Sequence, residues 1–256
     1  MRRIAIVGGA GRMGQVMALG LGLLDDVFVA ALVDTSQPRA LFGARYAASL
    51  DELEAADLDV VVDFSTPVGA VRSGAWCAEH SVALVLGVTG LSDEQRRQIE
   101  AASERTSIVM ASNFSLGAVL SERFAVIAAK HFERVEIIEF HHDSKVDAPS
   151  GTSLSTAHAI AEARARAGLG PLVEPTTRFS VAGARGADAG EGIAVHSVRL
   201  PGLVAHQEIL FGSPGEGLTI RHDSYDRQSF VRGVELAIRS MSTAPGLVLG
   251  IDSFLD

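Results

Sequence analysis

The segment Val7-Gly8-Gly9-Ala10-Gly11-Arg12-Met13-Gly14 constrains this chain more than any other. An apolar run, Ile4-Ala5-Ile6-Val7, leads into it, and an amphipathic stretch over residues 12–24 leaves it. That order reads as strand, tight turn and helix. Glycines spaced Gly-x-x-Gly-x-x-Gly let a backbone approach a pyrophosphate and aim helix N–H groups at it. Asp34 ends the next apolar run, 20 residues beyond Gly14, where an acidic side chain meets the adenosine ribose hydroxyls. The plainer alternative is a turn that serves only close helix–strand packing.

The same alternation continues to about residue 112. Residues 3–7, 27–33, 60–64, 82–86 and 107–111 read as strands, and residues 12–24, 68–80 and 92–103 as helices. Continuous apolar strands separated by helices imply a parallel sheet covered on both faces. Gly87-Val88-Thr89-Gly90 and Ala111-Ser112-Asn113-Phe114 follow two of those strands. In a doubly wound sheet ligands sit outside the carboxyl ends of strands, and small or amide residues there suit a nicotinamide carboxamide. Ordinary turn chemistry is the competing reading.

The pattern changes after Asn113. A helix over 116–131, a strand over 135–141 and a helix over 153–167 precede a Gly-, Ala- and Arg-rich stretch, 168–192, that reads as irregular. Residues 193–200, 203–211 and 218–222 read as strands joined by turns at Pro201-Gly202 and Pro214-Gly215. Such short connections favour antiparallel pairing. A helix over 229–240 and a short tail follow. The expected fold is α/β: a Rossmann-type doubly wound parallel sheet, residues 1–113 with 226–256, plus a second α+β domain, 114–225, with an open, mainly antiparallel sheet.

Composition narrows the function. A net charge of −9 argues against a nucleic-acid partner, and 47% apolar residues supply a sizeable core. The single cysteine, Cys77, excludes an intrachain disulfide and a cysteine zinc cluster, and reads as a buried structural thiol. No window is long and apolar enough to span a membrane, and the four-residue apolar run after Arg2-Arg3 is too short for a signal peptide. The expectation is a cytoplasmic protein with no metal.

The richest chemistry lies in Glu139-Phe140-His141-His142-Asp143-Ser144-Lys145-Val146-Asp147-Ala148-Pro149-Ser150-Gly151-Thr152. It begins on a strand and runs into a helix. Ser150, Gly151 and Thr152 stand where free N–H groups and the helix dipole favour an anion. His141 and Lys145 are the strongest proton-transfer candidates in the chain. Adjacent strand residues face opposite ways, so one of the two histidines reads as structural and a two-histidine metal site is disfavoured. The other histidines (His80, His131, His158, His196, His206, His222) suggest no partner.

With these residues in view, the chain resembles the 4-hydroxy-tetrahydrodipicolinate reductase family. The Gly-rich loop, Asp63-Phe64-Ser65, the 87–90 turn, Asn113-Phe114-Ser115 and, above all, the unbroken run from His141 to Thr152 carry the likeness. Residues 195–199, 218–224 and 227–230 extend it, so it spans nearly the whole chain. The resemblance implies reduction, by NADH or NADPH, of the cyclic imine made from aspartate semialdehyde and pyruvate, on the diaminopimelate route to lysine. It implies His141 as acid/base residue and Lys145 as proton donor. His142, Ser150, Gly151 and Thr152 would hold a small dicarboxylate. Gly8, Gly9, Ala10, Gly11, Arg12, Met13, Asp34, Gly87, Val88, Thr89, Ala111, Ser112, Asn113 and Phe114 would line the cofactor. A homotetramer joined through the second sheet is implied as well.

Three departures stand out. Val88 replaces a threonine of the usual Gly-Thr-Thr-Gly turn. Thr35 follows Asp34 where many relatives carry an arginine able to meet a 2′-phosphate. Ser153 replaces an alanine, a change expected to be harmless. Two rival readings share these residues: a reductase of a related imine or semialdehyde, and a non-catalytic dinucleotide sensor on the same fold. A sensor would have little use for His141 and Lys145 beside an anion site.

Overall fold

A computed structural model describes residues 1–255. In chain order the elements are β1 (Arg2–Val7), α1 (Arg12–Leu21), β2 (Val27–Val33), β3 (Arg45–Ala47), β4 (Val60–Asp63), α2 (Pro67–His80), β5 (Ala83–Leu86), α3 (Asp93–Ser103), β6 (Ser107–Met110), α4 (Leu116–Ala128), β7 (Arg134–His141), α5 (Gly151–Arg166), β8 (Ala187–Asp188), β9 (Ala194–Arg199), β10 (Ala205–Ser213), β11 (Glu216–Ser224), α6 (Val231–Ser240) and β12 (Gly246–Leu249). They divide into two compact units: Met1–Leu116 with the chain from Arg227 onward, and Gly117–Asp226. No helix among the described residues is long and apolar enough to cross a membrane.

The first unit holds a seven-stranded sheet in the order β12-β6-β5-β4-β1-β2-β3, and every pairing in it is parallel. The strand sequences explain this. Val60, Val61, Val62 and Asp63 of β4 are all buried, as a strand covered on both faces requires. The helices start where caps are available. Thr66 accepts from Gly69 N ahead of Pro67 in α2, and Ser92 forms a capping box with Gln95 at α3. Ser81 ends α2 in the left-handed region. Cys77 is buried in α2, and burial, aided by Asp63, pushes its thiol pKa up, so it stays protonated.

Two strands of this sheet escaped the sequence reading. β3 is three residues long, and β12 lies in what read as a short tail. Gly246-Leu247-Val248-Leu249 is too short to signal a strand by itself. It becomes one only because β6 offers an open edge, to which it pairs in parallel. The first helix also stops at Leu21, capped by Gly22, rather than running to residue 24.

The second unit carries a sheet in the order β11-β10-β7-β9-β8. Three of its four pairings are antiparallel, and β7 with β9 is parallel. β9 and β10 are therefore not neighbours, contrary to the expectation from their short connection. β7 lies between them. The five residues 200–204 suffice to step over one strand, a distance of roughly two 4.8 Å spacings. Along β7, Val135, Ile137 and Glu139 face inward, the first two into a core with Ile160, Val195 and Ile209. Helix α5 begins at Gly151, two residues earlier than its pattern suggested, because Ser150 caps it by accepting from Ser153 N at 3.2 Å.

Candidate active site

In the first unit, parallel strands that all end on one side gather four loops. Gly8 adopts φ +82°, and the N–H groups of Gly8 and Gly9 donate to Val33 O at 2.9 and 3.1 Å. The Gly-rich turn is thereby pinned to the end of β2. Asp34 adds a third tie, accepting from Ala10 N at 3.0 Å through one carboxylate oxygen, while the other accepts from Ser36 N at 3.2 Å. At Gly14 there is no room for a side chain, since a Cβ would lie 2.1 Å from Gly8 O. Helix α1 also differs from α2, α3 and α5. Its N-cap, Gly11, supplies no side-chain bond, whereas Thr66, Ser92 and Ser150 cap the other three. The N–H groups that begin at Arg12 and Met13 are left for an anion, which fits dinucleotide phosphates.

The remaining loops lie at the same sheet end. Gly87, Val88 and Thr89 follow β5, with Val88 buried and Thr89 exposed. Ala111, Ser112, Asn113 and Phe114 follow β6. Asn113 Oδ1 accepts from Ser115 N at 2.9 Å, and buried Phe114 meets Phe64 edge-on at 5.8 Å between centroids. Phe64 itself follows Asp63, whose fully buried carboxylate shapes the corner by accepting from Ser65 N at 2.7 Å. Burial raises the Asp63 pKa against that hydrogen bond.

In the second unit, His141 is the last residue of β7, and the chain then turns through Lys145 back to α5. His141 Nδ1 lies 2.5 Å from Glu139 Oε2. Burial lowers the His141 pKa, and the neighbouring Glu139 only partly offsets this, so the ring is neutral at neutral pH. His142 Nδ1 pairs with Ser144 Oγ at 2.8 Å. Lys145 Nζ donates to both oxygens of Asp147 at 2.7 Å, and this hydrogen bond holds the Asp147 carboxyl below its ordinary range. Asp147 is exposed, so the pair is cheap to open.

The three residues at the start of α5 differ in kind. Ser150 is buried and its groups face inward: its N–H donates to Glu139 Oε1 at 3.2 Å, and its hydroxyl caps the helix. Gly151 is exposed and Thr152 half-buried. Ser153, expected to be neutral, is fully buried. Its hydroxyl donates to Gln207 Oε1 at 2.6 Å and lies 2.8 Å from Ser150 Oγ. Gln207 continues the chain of polar contacts to Thr156 Oγ1 at 3.2 Å.

Two residues of this site receive no role from the sequence. Glu139 is fully buried, and Arg199, the last residue of β9, meets it with Nη1 and Nη2 at 2.7 and 2.8 Å. Period-two alternation along β7, Val135, Ile137, then Glu139, was the available signal: it puts a carboxylate where an apolar residue belongs. Arg199 gave no comparable sign, because its pairing spans 60 residues.

A doubly wound parallel sheet with a glycine loop at an uncapped helix, joined in one chain to a unit that gathers a histidine, a lysine and a helix start, fits an NAD(P)H-dependent reductase. Comparison with known proteins narrows the class. The family model for the dihydrodipicolinate reductase N-terminus matches residues 2–114, and that for the C-terminus matches residues 117–255. The chain belongs to the dihydrodipicolinate reductase family, enzymes of the diaminopimelate route to lysine. It is 46% identical over 258 residues to 4-hydroxy-tetrahydrodipicolinate reductase of Nocardia farcinica, covering 99% of this chain and 98% of that one. It is 43% identical to the enzyme of the same name from Cutibacterium acnes, covering 100% and 99%. Dipicolinate-bound dihydrodipicolinate reductase from Paenisporosarcina sp. TG-14 superimposes with a TM-score of 0.89 at 39% identity over the full length of both chains.

Proposed function

We propose that this enzyme reduces the ring derived from 4-hydroxy-tetrahydrodipicolinate to tetrahydrodipicolinate, with His141 and Lys145 managing the protons. NAD(P)H, when bound, supplies the hydride. The observation that carries the reading is the second unit's arrangement: an imidazole held by a buried carboxylate, a lysine paired with an exposed aspartate, and a helix start, all within twelve residues. Neutral His141 takes a proton from the ring carbon next to the hydroxyl-bearing carbon and delivers it to the hydroxyl, which leaves as water as the ring double bond forms. Lys145 gives a proton to the enamine carbon that remains after hydride arrives. His142, Gly151 and Thr152 hold the two carboxylates, and Ser150 sets the helix start from beneath. A substrate carboxylate competes with Asp147 for Lys145. The dipicolinate bound by the Paenisporosarcina enzyme is a dicarboxylate of this kind.

Gly8 to Met13, Asp34, Gly87 to Thr89 and Ala111 to Phe114 are proposed to line the cofactor. Asp34 favours ribose hydroxyls and repels a 2′-phosphate, and Thr35 brings no cation. NADH is therefore expected to serve at least as well as NADPH. Measuring kcat/KM for both cofactors checks this, and a tenfold or greater preference for NADPH would refute it.

Thr152→Val is expected to weaken substrate binding by about 10- to 150-fold, the loss of one hydrogen bond to a charged ligand. NADH affinity should stay within about threefold. Titration of the variant with dipicolinate and with NADH separates the two. Unchanged dipicolinate affinity alongside lost NADH affinity would move Thr152 to the cofactor site.

A further inference from the structure

We infer that Glu139 is the positioning residue of the proton-transfer site, fixing the tautomer of His141 and the chain segment that carries Lys145. The inference rests on the role proposed above for His141. Glu139 sits on the inward face of β7, in line with Val135 and Ile137, and no part of it is exposed. Its two oxygens are held by His141, Arg199, Ser150 N and the Ser197 side chain. Oε2 meets His141 Nδ1 at 2.5 Å and Arg199 Nη1 at 2.7 Å, and Oε1 meets Arg199 Nη2 at 2.8 Å and Ser150 N at 3.2 Å. Arg199 Nη2 also donates to Asp147 O at 2.8 Å, and Asp147 is the partner of Lys145. One carboxylate thus ties together the histidine, the helix start and the lysine loop.

Burial alone would push the Glu139 carboxyl up, but hydrogen bonds from Arg199, Ser197 and His141 outweigh it and hold it below its ordinary range. It is ionised, and an ionised carboxylate only accepts hydrogen bonds. The proton of neutral His141 is therefore on Nδ1. Nε2 keeps its lone pair and is the nitrogen that exchanges a proton with substrate. A carboxylate that orients a histidine in this way sets which nitrogen can react. A buried ion pair is weak support for stability, whereas an apolar residue here would extend the Val135–Ile137 face. Fixing the reacting group accounts for the charge being there.

Glu139→Gln removes the charge while keeping the shape, and its amide can donate as well as accept. We expect kcat to fall about 30- to 1000-fold, with the KM for substrate and the Kd for NADH within about threefold. Nitrogen-15 NMR of histidine-labelled enzyme should show His141 protonated on Nδ1 in the wild type and on Nε2, wholly or in part, in Glu139→Gln. Glu139→Asp, which restores the charge, should recover part of the loss. The double variant with His141→Ala should lose less than the product of the two single losses, because only the part of the Glu139 effect that passes through the Lys145 segment remains. A wild-type His141 protonated on Nε2 overturns the inference without any variant. So does a Glu139→Gln enzyme with kcat within twofold of wild type while His141→Ala remains impaired. Near-native turnover of His141→Ala would instead remove the role of the histidine itself.

Discussion

His141→Ala and Lys145→Ala are each expected to lower kcat by about two to four orders of magnitude, the usual span for a positioned acid or base. Both should fold, since neither side chain fills the core around Ile137 and Ile160. Both should bind NADH as the wild type does, because the glycine loop belongs to the other compact unit. The two losses should not multiply in the double variant, as residues that act in one proton-transfer sequence are not additive. Lys145→Ala should also raise the KM, since its ammonium is available to a substrate carboxylate once the exposed Asp147 lets go. Acid should act on the wild type through His141. Its pKa is lowered, so the neutral form persists to a more acid pH than an ordinary histidine allows, and turnover should fall only below that range. The measurements are kcat, KM, NADH affinity and the pH profile of kcat. Near-native turnover of His141→Ala would leave Lys145 or water as the proton source.

Gly14→Ala should damage the other half of the enzyme by a different route. The added Cβ would lie 2.1 Å from Gly8 O and 2.8 Å from Gly8 C and Gly9 Cα. These are backbone atoms, so no rotamer change relieves the contact, and the turn must move. Its N–H groups would then miss the phosphates. Two lost hydrogen bonds to a charged group, at about 1.5–3 kcal/mol each, correspond to a two- to four-order rise in the Kd for NADH. Gly11→Ala gives a graded control, because its Cβ would meet Gly8 O at 3.1 Å, a contact that a small shift relieves. The expected order of NADH affinity is wild type, Gly11→Ala, then Gly14→Ala, read by fluorescence titration. NADH affinity within threefold of wild type in a folded Gly14→Ala would show that this turn does not hold the pyrophosphate.

The parts of the molecule legible in the sequence are those fixed by neighbours along the chain. The parallel sheet was readable because buried strands such as Val60-Val61-Val62 are apolar without interruption. The turn from His141 to Thr152 was readable because its chemistry is contiguous. What escaped depends on pairing between distant segments. β12 is a strand only because β6 has an edge to offer, and β9 is parallel to β7 although a short turn joins it to β10. Arg199 reaches Glu139 only after that register is set. Ser153 looked neutral because its partner, Gln207, lies 54 residues away on β10. With alanine there, Gln207 Oε1 would lose its 2.6 Å bond in a buried setting.

The return of the chain to its first unit has a consequence for the order in which the protein can be made. On a ribosome, β1 to β6 emerge first, but β12 and α6 follow only after Gly117–Asp226 has been synthesised. At roughly 5–20 residues per second, that interval is on the order of ten seconds. Throughout it β6 has no partner on its outer edge, and α1 lacks Val231, whose methyl groups come so close to Gly20 that a Cβ there would lie 2.6 Å away. The interrupting unit is contiguous and can close its own core while the nascent sheet waits. The segment encoded second is thus the first that can finish folding, and the stretch from Arg227 onward completes the other.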